Sequence, residues 1–260
     1  VNKREAYGMF KKQIALAMAA AMAFGVGGCT QKEETTTPTD FVEKKVEPAS
    51  FESGVELQED CIHLIYALGN APATIDAAKF FKMRLEQETN GAMTVDIYTD
   101  NVLGGERELL EGCQFGDYDI VLATNATVAS FCNDIYCLDI PWLFDNKQQV
   151  YEVLDGKLGD YLGDQLNEVG FELLQWQENS FRTLSTTNQP IESMDDLKGL
   201  KIRIMENELQ LAQWKAYGAN PTPMAFTELF TALQQGTVDG QDNGAELTWQ
   251  SKFCEVQKYY

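Results

Sequence analysis

Histidine is nearly absent: His63 is the single one in 260 residues. Basic residues are scarce as well, with 20 lysines and arginines against 40 aspartates and glutamates and a net charge of −20. That shortage excludes nucleic acid as a natural partner, because attraction to phosphate needs a basic face. His63 stands in an apolar run with no serine or cysteine motif beside it. It therefore reads as a core or surface imidazole, not as a general base. P-loop and dinucleotide fingerprints are missing, since Leu103-Gly104-Gly105 lacks the required spacing. Carboxylates are so plentiful that chance pairs are expected, and spacing selects none for acid–base work. The sequence offers no nucleophile–base pair, and it predicts no catalysis, no cofactor and no metal site.

Long hydrophobic runs are also lacking. The longest, from Ile14 to Phe24, is too short to span a bilayer. Lys11 and Lys12 precede it and Val26-Gly27-Gly28-Cys29 follows, which is the pattern of a secretion signal with a small-residue cleavage site. A cysteine directly after such a site resembles the bacterial lipobox, in which Cys29 would be lipid-modified and become the new N-terminus. An ordinary signal with a chance cysteine is the alternative. Met9 sits just before the basic start, which leaves open whether residues 1–8 are translated. From Cys29 onward the chain has 16 basic and 39 acidic residues, a net of −23. Residues 29–60 are rich in Glu, Lys, Thr and Pro and too poor in apolar side chains to offset the entropy of ordering. They read as a tether. Five cysteines follow, Cys61, Cys113, Cys132, Cys137 and Cys254. An odd number does not complete a disulfide framework, and one C-x4-C pair without histidines is a poor zinc site, although a Cys132–Cys137 bridge remains open.

The folded remainder alternates strands and helices. Ile62 to Leu68 reads as a buried strand, Ile75, Ala78, Phe81 and Leu85 mark a helix stopped by Asn90-Gly91, and Met93, Val95 and Ile97 alternate as a second strand. A helix from Glu106 to Gln114 follows, then a strand from Tyr118 to Ala123. Ile140-Pro141-Trp142-Leu143-Phe144 is expected to be core contact at a sheet edge. Residues 172–176 are expected to be a strand ending in Trp176, and Ser193 to Leu197 a helical turn. Leu200, Ile202 and Ile204 alternate with Lys201 and Arg203, so Arg203 points away from that strand's apolar side. A helix with Leu209, Ala212 and Ala216 ends at Gly218. Asn220 to Pro223 is a rigid extended segment, and a helix runs from Thr227 to Gln235. Val238 to Asn243 is expected to be a tight polar turn in which Gly240 takes positive φ. Strand, helix, strand in this order implies an α/β fold with parallel sheets, whose ligands gather at strand ends.

Four phrases in the second half, GLKIR, GANPTPMAFTEL, LQQGTVDGQDN and KFCEVQK, occur in an order and spacing that resemble the solute-binding proteins of tripartite ATP-independent periplasmic (TRAP) transporters, of the C4-dicarboxylate-binding type. TNGAMTVDIY, LGGERELLEG, FGDYDIVLAT and LDIPWLFDN extend the resemblance from Ile62 to Tyr260. It departs in two places, with GQDN for the family's GQEN and KFCEVQ for KFYEVQ. The resemblance implies a two-lobed, periplasmic-binding-protein-like α/β fold with a ligand cleft between lobes 61–180 and 181–260. The C-terminal part of the second lobe would be missing from this chain, and the 260 residues alone would then expose apolar sheet surface and fold poorly.

The resemblance also implies function. Arg203 falls on the family's carboxylate clamp, Asn243 on the asparagine after its GQ pair and Phe226 on its pocket wall. Arg182, in Ser180-Phe181-Arg182 and without the family's usual glycine, falls on a second polar contact. Asn70, Thr124 and Asn125 lie where strand ends meet the pocket. Read from the residues alone, Arg203 is equally a structural salt bridge and Asn70 equally a turn residue. The implied protein is an extracytoplasmic receptor, held on the outer face of the cytoplasmic membrane through lipid on Cys29. It would capture a small organic acid by lobe closure and deliver it to TRAP permease subunits. A binding protein for another transporter class or a sensor, or a secreted enzyme on the same frame, are the alternatives.

Overall fold

The computed structural model describes residues 54–69 and 72–260. Cys29, the expected signal peptide, most of the expected tether and Asn70 lie outside the described residues. The chain divides into two compact units, one holding residues up to Leu64 together with Asp76–Asp96, the other Ile65–Ile75 together with Ile97–Tyr260.

Strands β1 (Ile62–Ala67) and β2 (Met93–Tyr98) and helix α1 (Pro72–Glu88) form as the sequence pattern predicts, and each has residues in both units. In the first unit, Leu85 and Val95 are fully buried, and the Ile62 N–H donates to the Ala92 carbonyl at 2.9 Å. His63 is half exposed, with Nδ1 3.0 Å from Asp96 Oδ2, a surface imidazole. In the second unit, β1 pairs in parallel with β3 (Ile120–Val121), Tyr66 opposite Ile120. Helix α2 (Glu106–Phe115) connects to β3 and ends at Gly116. There φ of 84° puts the cap N–H onto the Cys113 and Gly112 carbonyls, a conformation open to residues without a Cβ. The first sheet has the order β2-β1-β3.

After β3 come short helix α3 (Asn125–Val128), a 3-10 segment (Asn133–Asp139), α4 (Lys147–Leu154) and α5 (Lys157–Glu168). Ala129, Cys132, Ile135, Leu162 and Leu166 pack together beneath them. All five described cysteines are free, so Cys132 and Cys137 are unbonded. Two expectations fail here. Ile140, Trp142 and Leu143 are exposed, Trp142 to 86%, so this apolar stretch is surface and not sheet-edge core. Trp142 adopts a left-handed φ of 56°, which turns the chain outward after Pro141. Residues 172–176 form no strand, because they find no ladder partner among the described residues.

The second sheet has the order β4-β7-β5-β6, made of β4 (Thr183–Thr186), β5 (Lys201–Ile204), β6 (Asn220–Pro223) and β7 (Gly240–Asn243). Strands β7, β5 and β6 run parallel, and β4 pairs antiparallel with β7. A 3-10 turn at Met194–Leu197, closed by a Ser193–Asp196 capping box, precedes β5. Helices α6 (Glu208–Ala216) and α7 (Phe226–Gln234) follow β5 and β6, and α8 (Ala245–Gln250) follows β7. The prolines explain why β6 is at the edge. Asn220 and Met224 donate their N–H groups to Leu200 and Ile204, while Pro221 and Pro223 have none to give.

Most of the expected polar turn at 238–243 is instead a central strand, Gly240–Asn243. Its polar side chains fooled the periodicity because they bond to one another inside the protein. Gln241 Nε2 donates to Ser185 Oγ at 2.7 Å and to Gln257 Oε1 at 3.2 Å, and Gln257 Nε2 donates to the Ser185 carbonyl at 2.8 Å. Gly240 does not take positive φ. It is glycine for lack of room, since an added Cβ would stand 2.7 Å from the Ser185 carbonyl oxygen and 3.0 Å from Thr186 Cγ2. Gly240→Ala is expected to destabilise the protein by about 1–3 kcal/mol through overpacking, read as a lowered urea midpoint; an unchanged midpoint would refute the close-approach explanation.

Candidate functional site

Arg203 is the largest fully buried side chain among the described residues, with 2% of its surface exposed. It stands on β5 between Ile202 and Ile204, which face the apolar cluster of Leu197, Trp214 and Ala219 on the opposite side of the sheet. Its Nε donates to the Met224 carbonyl at 2.9 Å, and its Cζ lies 6.0 Å from the Phe226 ring centroid. The edge strand β6 therefore fixes the guanidinium, because it delivers Met224 and Phe226 to one place. The other guanidinium N–H groups have no hydrogen-bond partner and no carboxylate within 4 Å among the described residues. Burial pushes the Arg203 guanidinium down to about 10, with Arg182 adding to the push and Asp242, Glu106 and Glu206 opposing it. It remains charged at neutral pH.

Arg182 is placed differently. Its Nε lies 2.9 Å from Asp242 Oδ2, and its Nη2 donates to Asp242 Oδ1 at 3.2 Å and to the Asp242 carbonyl. Burial works against its charge, but Asp242, with Asp139 and Glu106, holds the guanidinium above its ordinary value. The exchange of Glu for Asp in the GQDN phrase thus falls on the partner of Arg182. Asn243 is buried on β7, two residues beyond Gln241, the register partner of Arg203, and so shares that face of the sheet. Its Nδ2 donates to Gln241 Oε1 at 2.5 Å.

Thr124 is the N-cap of α3 and Asn125 its first residue, in the connection that follows β3. Thr124 Oγ1 donates to Glu106 Oε2 at 2.6 Å and lies 3.5 Å from Met205 Sδ, two residues past Arg203. Asn125 Nδ2 donates to Asp139 Oδ1 at 3.0 Å. The structure thus brings Arg203, Arg182, Phe226, Asn243, Thr124 and Asn125 into one neighbourhood. A cavity of about 260 Å³ lined by Ser185, Thr248, Trp249, Cys254, Gln257 and Tyr260 lies elsewhere and includes neither arginine.

Glu106, Asp139 and Asn207 escaped the sequence reading. An acid in a helix's first turn, like Glu106, looks like ordinary dipole complementation. Asp139 had a usable signal, a carboxylate inside the apolar Leu138-Asp139-Ile140-Pro141, since a buried acid needs partners. It finds them in Asn125 and in Asn207, whose Nδ2 donates to Asp139 Oδ2 at 2.8 Å and to the Ala126 carbonyl at 2.9 Å. Asn207 is also the N-cap of α6, accepting from the Gln210 N–H at 2.9 Å.

Residues 67–260 match the family model described as bacterial extracellular solute-binding protein, family 7. The chain belongs to this family. Family 7 is a family of solute-binding proteins, not of enzymes. The chain is 40% identical over 179 residues to a solute-binding protein of Verminephrobacter eiseniae, an alignment covering 69% of the chain and 53% of that protein. It is 34% identical over 183 residues to the 2,3-diketo-L-gulonate-binding periplasmic protein of Escherichia coli, covering 70% and 56%. It superposes on the crystal structure of a TRAP periplasmic solute-binding protein from a Polaromonas species, bound to D-erythronate, with a TM-score of 0.73 and 36% identity over 76% of this chain and 66% of that one. The α/β fold is that of the two-lobed TRAP solute-binding proteins. The chain spans about half to two thirds of the length of these relatives.

Burial pushes the Asp139 carboxyl above the usual range, against the hydrogen bonds from Asn207 and Asn125 and the charge of Arg182. A folded-state pKa above the unfolded one gives a contribution fully present below about 3.9 and lost as pH rises through the folded value. The stability of the wild type relative to Asp139→Asn should therefore grow as pH falls from 7 towards 4, measured by urea titration at each pH. A difference that shrinks on acidification would contradict the burial argument.

Proposed function

We propose that the protein is an extracytoplasmic receptor that captures a small organic acid between lobes 61–180 and 181–260 and hands it to a TRAP-type permease. The observation that carries this reading is Arg203, a buried guanidinium with one protein acceptor and an open bidentate edge. Its free N–H groups form a planar fork open to a ligand, and such a fork matches a carboxylate in geometry and charge. Asn243 supplies an amide on the same face, Phe226 an apolar wall, and Thr124 and Asn125 hydroxyl and amide groups from the other lobe. Arg182, committed to Asp242 through Nε and Nη2, contributes its remaining Nη1 and its positive potential. Closure is a population shift, driven by the extra contacts the ligand makes in the closed form.

The ligand class follows the relatives, one named for 2,3-diketo-L-gulonate and one holding D-erythronate, both sugar acids. An extracytoplasmic location follows the family description and the E. coli relative's name. Lipid on Cys29 and the tether of residues 29–60 would hold the receptor near its permease. Radiolabelled palmitate should enter the wild type and not Cys29→Ala; equal labelling would remove the anchor from this reading.

The clamp is tested by a thermal-shift screen of the full-length protein against sugar acids, keto acids and dicarboxylates. Saturating ligand at about 100 times Kd adds about 2.7 kcal/mol to stability. One or more acids should raise the Tm by several degrees, and Arg203→Ala should abolish the shift. A shift that survives the mutation would return Arg203 to a structural role.

A further inference from the structure

Glu106 opens α2 behind Gly104 and Gly105 and is half-buried. Its Oε2 accepts three hydrogen bonds, from Thr124 Oγ1 at 2.6 Å, Thr127 Oγ1 at 2.7 Å and the Thr124 N–H at 3.2 Å. Three donors on one oxygen fix the plane of the carboxylate and leave Oε1 without a hydrogen-bond partner among the described residues. Two contacts put this group opposite the arginine. A Cβ on Gly105 would stand 3.9 Å from Ala225 Cβ, and Thr124 Oγ1 lies 3.5 Å from Met205 Sδ. The first turn of α2 thus abuts the Met224–Phe226 segment and the end of β5 that hold Arg203. The field of Glu106 reaches both Arg203 and Arg182, yet it forms no ion pair with either. It is a held acceptor on the turn that packs beside the segments carrying the clamp.

We propose that Glu106 determines specificity, accepting a hydrogen bond from a ligand hydroxyl through Oε1 and so selecting hydroxylated monocarboxylates over dicarboxylates. This rests on the reading of Arg203 as the carboxylate clamp. With one carboxylate on Arg203, the other end of a short acid meets Glu106. A hydroxyl there donates a charge-assisted hydrogen bond. A second carboxylate has no proton to donate and meets a like charge. A site built to accept from a hydroxyl also discriminates strongly against a ligand without one, because the acceptor is left unpaired.

The test is calorimetric titration of the full-length protein with D-erythronate, D-galactonate, succinate and succinamate, in the wild type, Glu106→Gln and Arg203→Ala. The wild type should bind a hydroxy acid at least ~10-fold more tightly than succinate, and succinamate more tightly than succinate, since the amide removes the second charge. Glu106→Gln keeps an oxygen for the two threonines and should narrow the hydroxy-acid-to-succinate ratio by ~10-fold or more. An unchanged ratio in a Glu106→Gln protein with wild-type circular dichroism would overturn the proposal. A wild type that prefers succinate to succinamate would do the same without any variant, so a failure of Glu106→Gln to fold still leaves the question decided. Arg203→Ala separates the two readings: acid binding that survives it overturns the clamp, whereas loss of binding together with an unchanged Glu106→Gln ratio overturns the role of Glu106 alone. A wild type that binds none of the four overturns both.

Discussion

Burying Arg203 is the constraint on which the second sheet depends. Taking a guanidinium out of water costs several kcal/mol even after relaxation, and the Met224 carbonyl and the Phe226 ring return only part of it. The remainder has to come from packing around it. Ile202 and Ile204 are fully buried on the other face of the same strand, and α6 and α7 cover the sheet with Trp214, Leu229 and Leu233. A receptor gains from this arrangement. On the proposed reading of Arg203 as the clamp, the charge would be desolvated before a ligand arrives, and the ligand would not bear that cost at the moment of binding.

The two arginines divide the work. Arg182 is committed to Asp242 through Nε and Nη2, whereas Arg203 beside them bonds only the Met224 carbonyl among the described residues. Burial first, and repulsion from Arg182 after it, push Arg203 towards neutrality, while the carboxylates of Asp242 and Glu106 push it back. On the proposed reading, an incoming acid would add one more negative charge to this cluster. The overall net charge of −20 is no obstacle, because a pair in a dry cleft is screened far less than charges across the surface. Asn207 joins the halves of the site, bonding through one Nδ2 to Ala126 and Asp139 while capping α6 with its oxygen. Movement at this point would exchange those hydrogen bonds for water, which is a modest cost of about 1 kcal/mol each.

Much of the fold was legible in the residues. A continuous apolar run located β1, period-two alternation located β2 and β5, helical spacing located α1, α6 and α7, bounding glycines located α2, and the paired prolines marked β6 as extended. The errors share a cause. Residues 238–243 looked like a turn because a buried strand of glycine, glutamine and asparagine has no apolar period; its side chains are satisfied by Ser185 and Gln257, 56 and 16 residues away from Gln241. Ile140 to Leu143 looked like core because composition cannot tell a buried apolar run from an exposed one. The strand expected at residues 172–176 lacks the neighbour that would make it one.

Sequence alone settled the scarcity of positive charge, the lack of a catalytic constellation and, through phrases read in order, the family. It also placed Arg203 on the polar face of a strand, because alternation is a local property of the backbone. Tertiary structure decided what local pattern cannot reach. It made Arg203 buried and open while closing Arg182 onto Asp242, 60 residues away, and it brought Glu106, Asp139 and Asn207 into the site. Whether a charged side chain is paired or free depends on what the rest of the chain sets beside it, and hydrogen bonds across such separations leave no period in the sequence.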